Sequence, residues 1–197
     1  MLRGPVEVRD AMPADAAALL EAWFESTGGT TAPLETPGDS QVSAAVARIL
    51  AEPTERLLIA VVEGEIAGFA FLRRAAISPI LDDDAVHVSH LQVRRSCRRR
   101  GVGKALLGEA ALWGEEKDSK HMLVTIAALS RDGNRFLARL GLSRVAVVRG
   151  STIASLRLKL AAAQTSVAAA PVVASRRSMR RRRALRQSVA AATTGPG

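Results

Sequence analysis

Val6–Ala11 alternates apolar and polar residues, which predicts a short strand. The spacing then lengthens: Ala16, Leu19, Leu20 and Trp23 fall on one helical stripe. Pro13 suits the first turn of that helix, Asp15 suits its positive end, and Gly28-Gly29 stops it. Beyond a Pro/Gly/Thr loop, Val42, Val46 and Ile49 predict a second amphipathic helix closed by Pro53. Arg56–Val62 and Ile66–Ala76 are apolar runs joined at Glu63-Gly64-Glu65, which reads as a β-hairpin. Ala85–Val93 predicts a further strand. Gly101–Trp113 predicts a helix with Val102, Leu106, Ala110 and Trp113 inward. Met122–Ala128 follows as a strand, and Asp132–Leu140 as a helix ended by Gly141. Val145–Val148 and Ile153–Leu160 read as a closing pair of strands. The order β-α-α-β-β-β-α-β-α-β-β describes a mixed α/β sheet domain without internal repeats.

Composition narrows the setting. The 197 residues carry 28 Lys or Arg against 19 Asp or Glu, a net charge of +9, with one Cys, three His and no Tyr. A lone thiol, Cys97, forms neither an internal disulfide nor a Cys-rich zinc site, so the expectation is a reducing, cytoplasmic setting and no metal. No apolar run approaches the ~20 residues that span a bilayer, and the amino-terminal stretch lacks a signal-peptide core.

The charge is unevenly spread. Ala161–Gly197 has no Asp, Glu or Lys but carries Arg176, Arg177, Arg180, Arg181, Arg182, Arg183 and Arg186, which leaves residues 1–160 near neutrality. The rest of that stretch is mostly Ala, Ser, Thr, Val and Gly, with Pro171 and Pro196, and has little to bury against its ordering entropy. Two parts are therefore expected: a domain over residues 1–160, and a disordered or conditionally helical basic tail over 161–197. Seven Arg without interleaved aromatics attract phosphate rather than stack on bases. If all seven neutralised nucleic-acid phosphates, the log–log salt slope would be roughly −6. A nucleic acid or another polyanion is thus a partner class for Arg176–Arg186, beside a solubilising extension with no dedicated partner.

The most informative stretch is Leu91-Gln-Val-Arg-Arg-Ser-Cys-Arg-Arg-Arg-Gly-Val-Gly-Lys-Ala-Leu-Leu107. A strand enters a basic loop, and Gly101 and Gly103 open a helix. Glycines allow close backbone approach, and the first helix amides make an anion site. Arg98, Arg99, Arg100 and Lys104 add charge, so a phosphate or pyrophosphate ligand is implied. Arg98 and Ala105 exclude a Walker A loop, and Leu106 excludes the third glycine of a dinucleotide fingerprint.

The pattern Arg98-x-x-Gly101-x-Gly103, preceded by Leu91-x-Val93, resembles motif A of the GNAT superfamily of N-acetyltransferases. The resemblance extends over roughly residues 6–160. It takes in the opening Val-Arg-Asp-Ala-x-Pro-Ala-Asp, the hairpin, and Arg135-Phe-Leu-Ala-Arg-Leu-Gly-Leu142 as a version of motif B. It implies a mostly antiparallel central sheet with flanking helices, the acyl-CoA N-acyltransferase fold. It further implies that the loop Arg98, Arg99, Arg100, Gly101, Val102, Gly103 and Lys104 holds the pyrophosphate of acetyl-CoA. The strand backbone at Leu91, Gln92 and Val93 would pair with the pantetheine arm. The resemblance also implies that the amine attacks the acetyl carbonyl directly, so Cys97 is not expected to act as a nucleophile.

An amine of pKa ~10.4 is neutral in roughly one molecule in 2,500 at pH 7, so a base is required. An imidazole suits that role. His87 matches the strand position that carries a Glu or His base in several members, and alternation puts it on a face with Ser89 and Leu91. His90, expected on the opposite face, is the fallback; His121 opens a strand at the surface. The resemblance also has gaps. Where many members place a Tyr acid in motif B, this chain has Leu137; Ser130 stands for the Asn that contacts the cofactor, and Leu142 for an aromatic. A thiol pKa near 8.5 makes the thiolate a tolerable leaving group without an acid. Asp82-Asp83-Asp84 reads as a solvated turn, with attraction of a cationic amine as the alternative. Two functions follow: an acetyl-CoA-dependent N-acetyltransferase for a primary amine, with protein lysine or an N-terminus ahead of small molecules, or a weakly catalytic acetyl-CoA-binding module tethered to nucleic acid or ribosomes by the Arg tail. The acceptor pocket falls in loops Thr27–Ser40 and Ile77–Asp84.

Overall fold

A computed structural model of the chain describes residues 4–27, 37–127 and 130–168. Gly28-Gly29, most of the Thr27–Ser40 loop and the Arg176–Arg186 run lie outside the described residues. The elements are β1 (Glu7–Asp10), α1 (Ala16–Thr27), α2 (Asp39–Leu50), β2 (Glu55–Val62), β3 (Glu65–Ser78), β4 (Leu81–Val93), α3 (Val102–Glu116), β5 (His121–Val124), α4 (Arg131–Arg139) and α5 (Ile153–Ala168), with single 3-10 turns at Pro13–Asp15 and Arg95–Cys97. They fall into two units, Met1–Ser143 and Arg144–Gly197.

The first unit holds a five-stranded sheet in the order β1-β2-β3-β4-β5. β1 to β4 pair antiparallel; β5 joins β4 in parallel, after the crossover through α3. Glu63 and Gly64 both take positive φ, 53° and 83°, the geometry of a tight hairpin turn that twists with its strands.

One period-2 set of side chains faces α3: Leu58, Ala60 and Val62 from β2, Leu72 from β3, and Val86 and Val88 from β4 pack with Val102, Leu106, Ala110 and Trp113. Leu58, Leu72 and Leu106 have no exposed surface, and burying each contributes about 1.5–3 kcal/mol. The alternate set faces α1 and α2, where Ile59, Ile66 and Phe69 meet Leu19, Ala22 and Val46. Helices on both faces leave strand ends and loops to carry the chemistry.

Gly141, at φ 86°, ends α4. Its N–H reaches the Ala138 carbonyl at 3.1 Å and the Leu142 N–H reaches Leu137 at 3.1 Å, a Schellman termination.

The second unit departs from expectation. Residues 144–152 form no regular element, and Ile153–Leu160 is helical within α5, so the two closing strands are not present. Thr152 caps that helix by accepting the Ser155 N–H at 3.1 Å. Ala, Leu, Arg and Lys in the segment are strong helix formers, which outweighs its alternation. Ala161–Ala168, expected to begin the tail, continues α5. Among the described residues, no helix is long and apolar enough to cross a membrane.

Candidate active site

The site is built along β4. Val86 and Val88 point into the α3 core, so alternation turns His87 and Ser89 to the α1 face. Ser89 pairs with Phe71 of β3, yet the next registered pair is Gln92 with Phe69. One extra residue is therefore accommodated in β4, and His90 takes φ 51° there, a β-bulge. Beyond it Leu91 and Val93 pack against the α3 core. The bulge inverts two expectations: Leu91 does not share the face of His87, and His90 does, since its ring lies 5.1 Å from that of Trp23 on α1.

His87 is half-buried, directly opposite Arg73 of β3 and beside Leu123 of β5. Its Nε2 is buried with no hydrogen-bond partner among the described residues. His121, at the start of β5, is exposed.

The pairing of β4 with β5 runs only from Ala85↔His121 to Val88↔Val124, followed by one bond from Thr125 N–H to the Val88 carbonyl at 2.8 Å. β4 itself continues to Val93. From Ser89 onward, the β5-side edge of β4 has no neighbouring strand among the described residues. Such an edge can pair with an extended ligand through its main chain.

β4 delivers the chain into the basic loop. The Arg94 N–H is held by the Ala67 carbonyl at 2.9 Å, and the turn Arg95–Cys97 follows, with the Cys97 N–H on the Arg94 carbonyl at 3.0 Å. Cys97 is buried in the α3 core, which accounts for it as packing. Arg99 takes φ 63° and Gly101 φ 86°, two left-handed positions that turn the loop into α3, and Gly101 serves as the N-cap of α3. No side chain caps the helix, so the amides of Val102, Gly103 and Lys104 remain donors at the positive end of its dipole. A Cβ on Gly101 would meet nothing within 4 Å, whereas one on Gly103 would stand 3.4 Å from Phe136 of α4. A Cβ at Gly103 would thus make ordinary contact with Phe136, while Gly101 leaves the cradle open. Arg98, Arg99 and Lys104 are exposed around it, and Arg100 is half-buried.

Ser130 is the N-cap of α4: its Oγ accepts the Gly133 N–H at 3.2 Å, and its carbonyl accepts Asn134 Nδ2 at 2.7 Å. Leu137, where a phenol was sought, is buried in the core. Asp83 and Asp84 do not form a turn; they lie in β4, where Asp84 pairs with Arg74 at 3.1 Å and Asp83 with Lys120 at 3.4 Å.

Several contributors escaped the sequence reading. Glu25 of α1 accepts the Arg95 N–H at 3.1 Å and stands 3.5 Å from Arg94 Nε, while Glu21 reaches Arg94 Nη2 at 3.6 Å. Two carboxylates at i and i+4 near the negative end of a helix repel each other and the dipole. Arg94 offsets this by tying α1 to the entrance of the basic loop. Gly68 of β3 is also required: a Cβ there would stand 2.6 Å from the Gln92 carbonyl and 3.0 Å from Val102. The Glu21/Glu25 spacing and the lone glycine inside a strand were the available signals.

Residues 18–142 match the model of the family described as Acetyltransferase (GNAT) family. No curated protein matches the chain. Among solved structures, it is similar to a transcriptional regulator from Bacillus halodurans C-125, with 16% identity and a TM-score of 0.66 over 76% of this chain and 100% of that one. It is similar to an aminoglycoside N-acetyltransferase in complex with CoA, with 18% identity and a TM-score of 0.62 over 76% and 95%. A ribosomal-protein-alanine N-acetyltransferase from Brucella melitensis biovar Abortus 2308 matches with 19% identity and a TM-score of 0.58 over 76% and 99%. At these identities the likeness is one of fold.

Proposed function

The chain belongs to the acetyltransferase (GNAT) family, and we propose that it transfers the acetyl group of acetyl-CoA directly to a primary amine, a protein lysine or N-terminal amine ahead of a small molecule. The observation that carries this reading is the parting of β4 from β5. Pairing stops at Val88, while β4 runs on to Val93 and into an uncapped helix N-terminus.

The residues present fit the cosubstrate. Leu91, Gln92 and Val93 offer an edge for its pantetheine amides, and the amides of Val102–Lys104, with Arg98, Arg99 and Arg100, offer donors and charge for its pyrophosphate. Acetyl-CoA supplies an activated acetyl thioester. His87, through its unpartnered Nε2, takes the proton that the acceptor amine must lose. His90 is engaged with Trp23 and acts on the shape of β4 rather than on protons. With Leu137 in the core and no Tyr in the chain, the thiolate departs without a phenolic donor, which its pKa near 8.5 permits.

The test is thiol release from acetyl-CoA with a panel of peptides and small amines. Turnover that falls to background in His87→Ala supports the enzyme and its base. Acetyl-CoA binding with no thiol release for any amine would instead make the chain a binding module. We propose separately that Arg176–Arg186 engages nucleic acid or another polyanion. Retention on RNA that drops with salt, and is lost on removing residues 169–197, is the expected result; unchanged retention would overturn it.

A further inference from the structure

The row of residues across the sheet at His87 holds more than a base. Glu55 of β2 stands opposite Arg73 of β3, and Arg73 stands opposite His87 of β4. Leu58 and Leu72 point into the α3 core, so all three polar residues lie on the other face, the one α2 covers. Directly opposed residues have Cβ atoms about 4.5–5.5 Å apart. An open groove of about 470 Å³, bordered by Arg48, Glu52, Thr54, Glu55 and Arg73, occupies this face beside the row.

Its acids are already engaged. Glu52 accepts both the main-chain N–H and the hydroxyl of Thr54, at 3.3 and 2.7 Å. Glu55, only 13% exposed, is shared between Arg48 at 3.4 Å and Arg73 at 3.9 Å. The guanidinium groups are not spent in the same way. The Arg48 and Arg73 side chains are 67% and 62% exposed, and the Arg73 guanidinium approaches Glu55 only at 3.9 Å, beyond hydrogen-bond length. A planar fork of donors stands open one strand from the proposed base.

This arrangement bears on which amine can approach. An acceptor arrives mostly as ammonium, and Arg73, held to Glu55 only at 3.9 Å, is the positive group nearest the proposed base in this row. An anion on the acceptor can form a closer, charge-assisted contact with this guanidinium than Glu55 does, and so position the amine. The groove is lined from α2, β2 and β3, and its Arg73 edge stands one strand spacing, about 5 Å, from His87, a distance that one or two residues of extended chain span. We propose that the acceptor is an acidic peptide segment, whose Asp or Glu within about two residues of the acetylated amine binds Arg73. The proposal rests on the amine-acetylation reading and deepens it.

The test uses the full chain with CoA present and three labelled lysine peptides, flanked by Glu, by Ala or by Arg, together with a small amine that carries a carboxylate. Binding is read by fluorescence anisotropy and turnover by thiol release. The Glu-flanked peptide should bind about tenfold more tightly than the Ala-flanked one, the scale of a charge-assisted contact. Arg73→Gln should reduce that ratio to about one, and Arg73→Lys should leave it between. An equal affinity for the Glu and Ala peptides, or a ratio that survives Arg73→Gln, would overturn the proposal. The full preference seen with the small carboxylated amine would overturn the peptide as its source. Preference in binding with no acetylation of any amine would sink the transferase reading and leave this one standing; acetylation without preference would do the reverse.

Discussion

The indole of Trp23 on α1 lies 5.1 Å from the imidazole of His90, ring centre to ring centre, at an angle of 41°. His90 is the bulged residue of β4, held at φ 51°, a conformation that non-glycine residues seldom adopt without support. Trp23 also stacks on Phe69 at 5.9 Å, on the strand that the bulge faces. One side chain from α1 therefore braces both sides of the irregularity that turns the end of β4 toward the basic loop.

Trp23→Ala should consequently act twice. Loss of a large aromatic from a partly buried site should lower stability by about 3 kcal/mol, read as a shifted urea midpoint at an unchanged slope. The loosened bulge should also raise KM for acetyl-CoA more than it lowers kcat. Trp23→Phe should recover most of both effects. A stable Trp23→Ala variant with wild-type KM would show that the bulge needs no brace.

Glycine placement provides a paired prediction. A methyl group on Gly68 would meet the Gln92 carbonyl at 2.6 Å and Val93 Cα at 3.3 Å, both main chain, so the strands themselves would have to part. Gly68→Ala should cost about 1–3 kcal/mol, the range for forced overpacking. Gly108 lies exposed in α3, where an added Cβ meets nothing within 4 Å. Gly108→Ala should gain up to about 1 kcal/mol from helix propensity. Opposite signs in thermal unfolding check the pair.

Much of this architecture can be read from residue pattern, and the exceptions have separate causes. The hairpin at Glu63-Gly64, the buried face of α3 and the glycine end of α4 are local rules with local residues, and the structure carries each of them. The bulge at His90 has no glycine of its own to announce it; it lies where β3, β4 and α3 come close, with Gly68 against the Gln92 carbonyl and Val102, contacts that no local pattern encodes. A single bulge inverts every later side chain, which is why Leu91 and His90 changed faces. In α5 the failure runs the other way. Ala154, Leu156, Leu158 and Leu160 alternate as a strand would, but Leu158 is 74% exposed in a helix that Thr152 caps. Period alone could not separate an alternating strand from a helix with no buried stripe. The carboxylates on α1 were hidden because they act far away in sequence: Glu25 takes the Arg95 N–H across 70 residues and, with Glu21, pairs with Arg94.

Acid should expose the contribution of the first helix turn. Asp15 receives two hydrogen bonds from the Arg9 guanidinium, at 2.8 and 2.9 Å, and one from the Met12 N–H at 2.7 Å. The Arg9 hydrogen bonds, foremost, hold the carboxyl below its ordinary range; burial opposes this, and the Met12 bond and the Arg9 charge reinforce it. The folded chain thus prefers the carboxylate. Its stabilisation is complete above about pH 4, the unfolded value, and is lost as pH falls through the lower folded value. Asp15→Asn should cost about 1 kcal/mol at neutral pH. It should also flatten the fall of the unfolding midpoint below about pH 4. Parallel curves for variant and parent would contradict the assignment.

The two histidines of β4 provide the sharpest separation of chemistry from structure. They share a face, but His87 keeps a buried Nε2 without a partner among the described residues, whereas His90 is committed to Trp23. A general base contributes about 10²–10⁴ in rate. His87→Ala should therefore lower kcat by at least about 100-fold while acetyl-CoA affinity holds, because the cradle at Gly101 lies at the far end of β4 and in the loop beyond it. His90→Ala should lower the unfolding midpoint and weaken acetyl-CoA binding, with a smaller change in kcat at saturation. Added imidazole should restore part of the lost turnover in His87→Ala and none in His90→Ala, since only a missing proton acceptor can be replaced from solution. A His87→Ala enzyme that loses less than about tenfold in kcat and ignores imidazole would remove His87 from the chemistry and make its buried nitrogen a matter of packing alone.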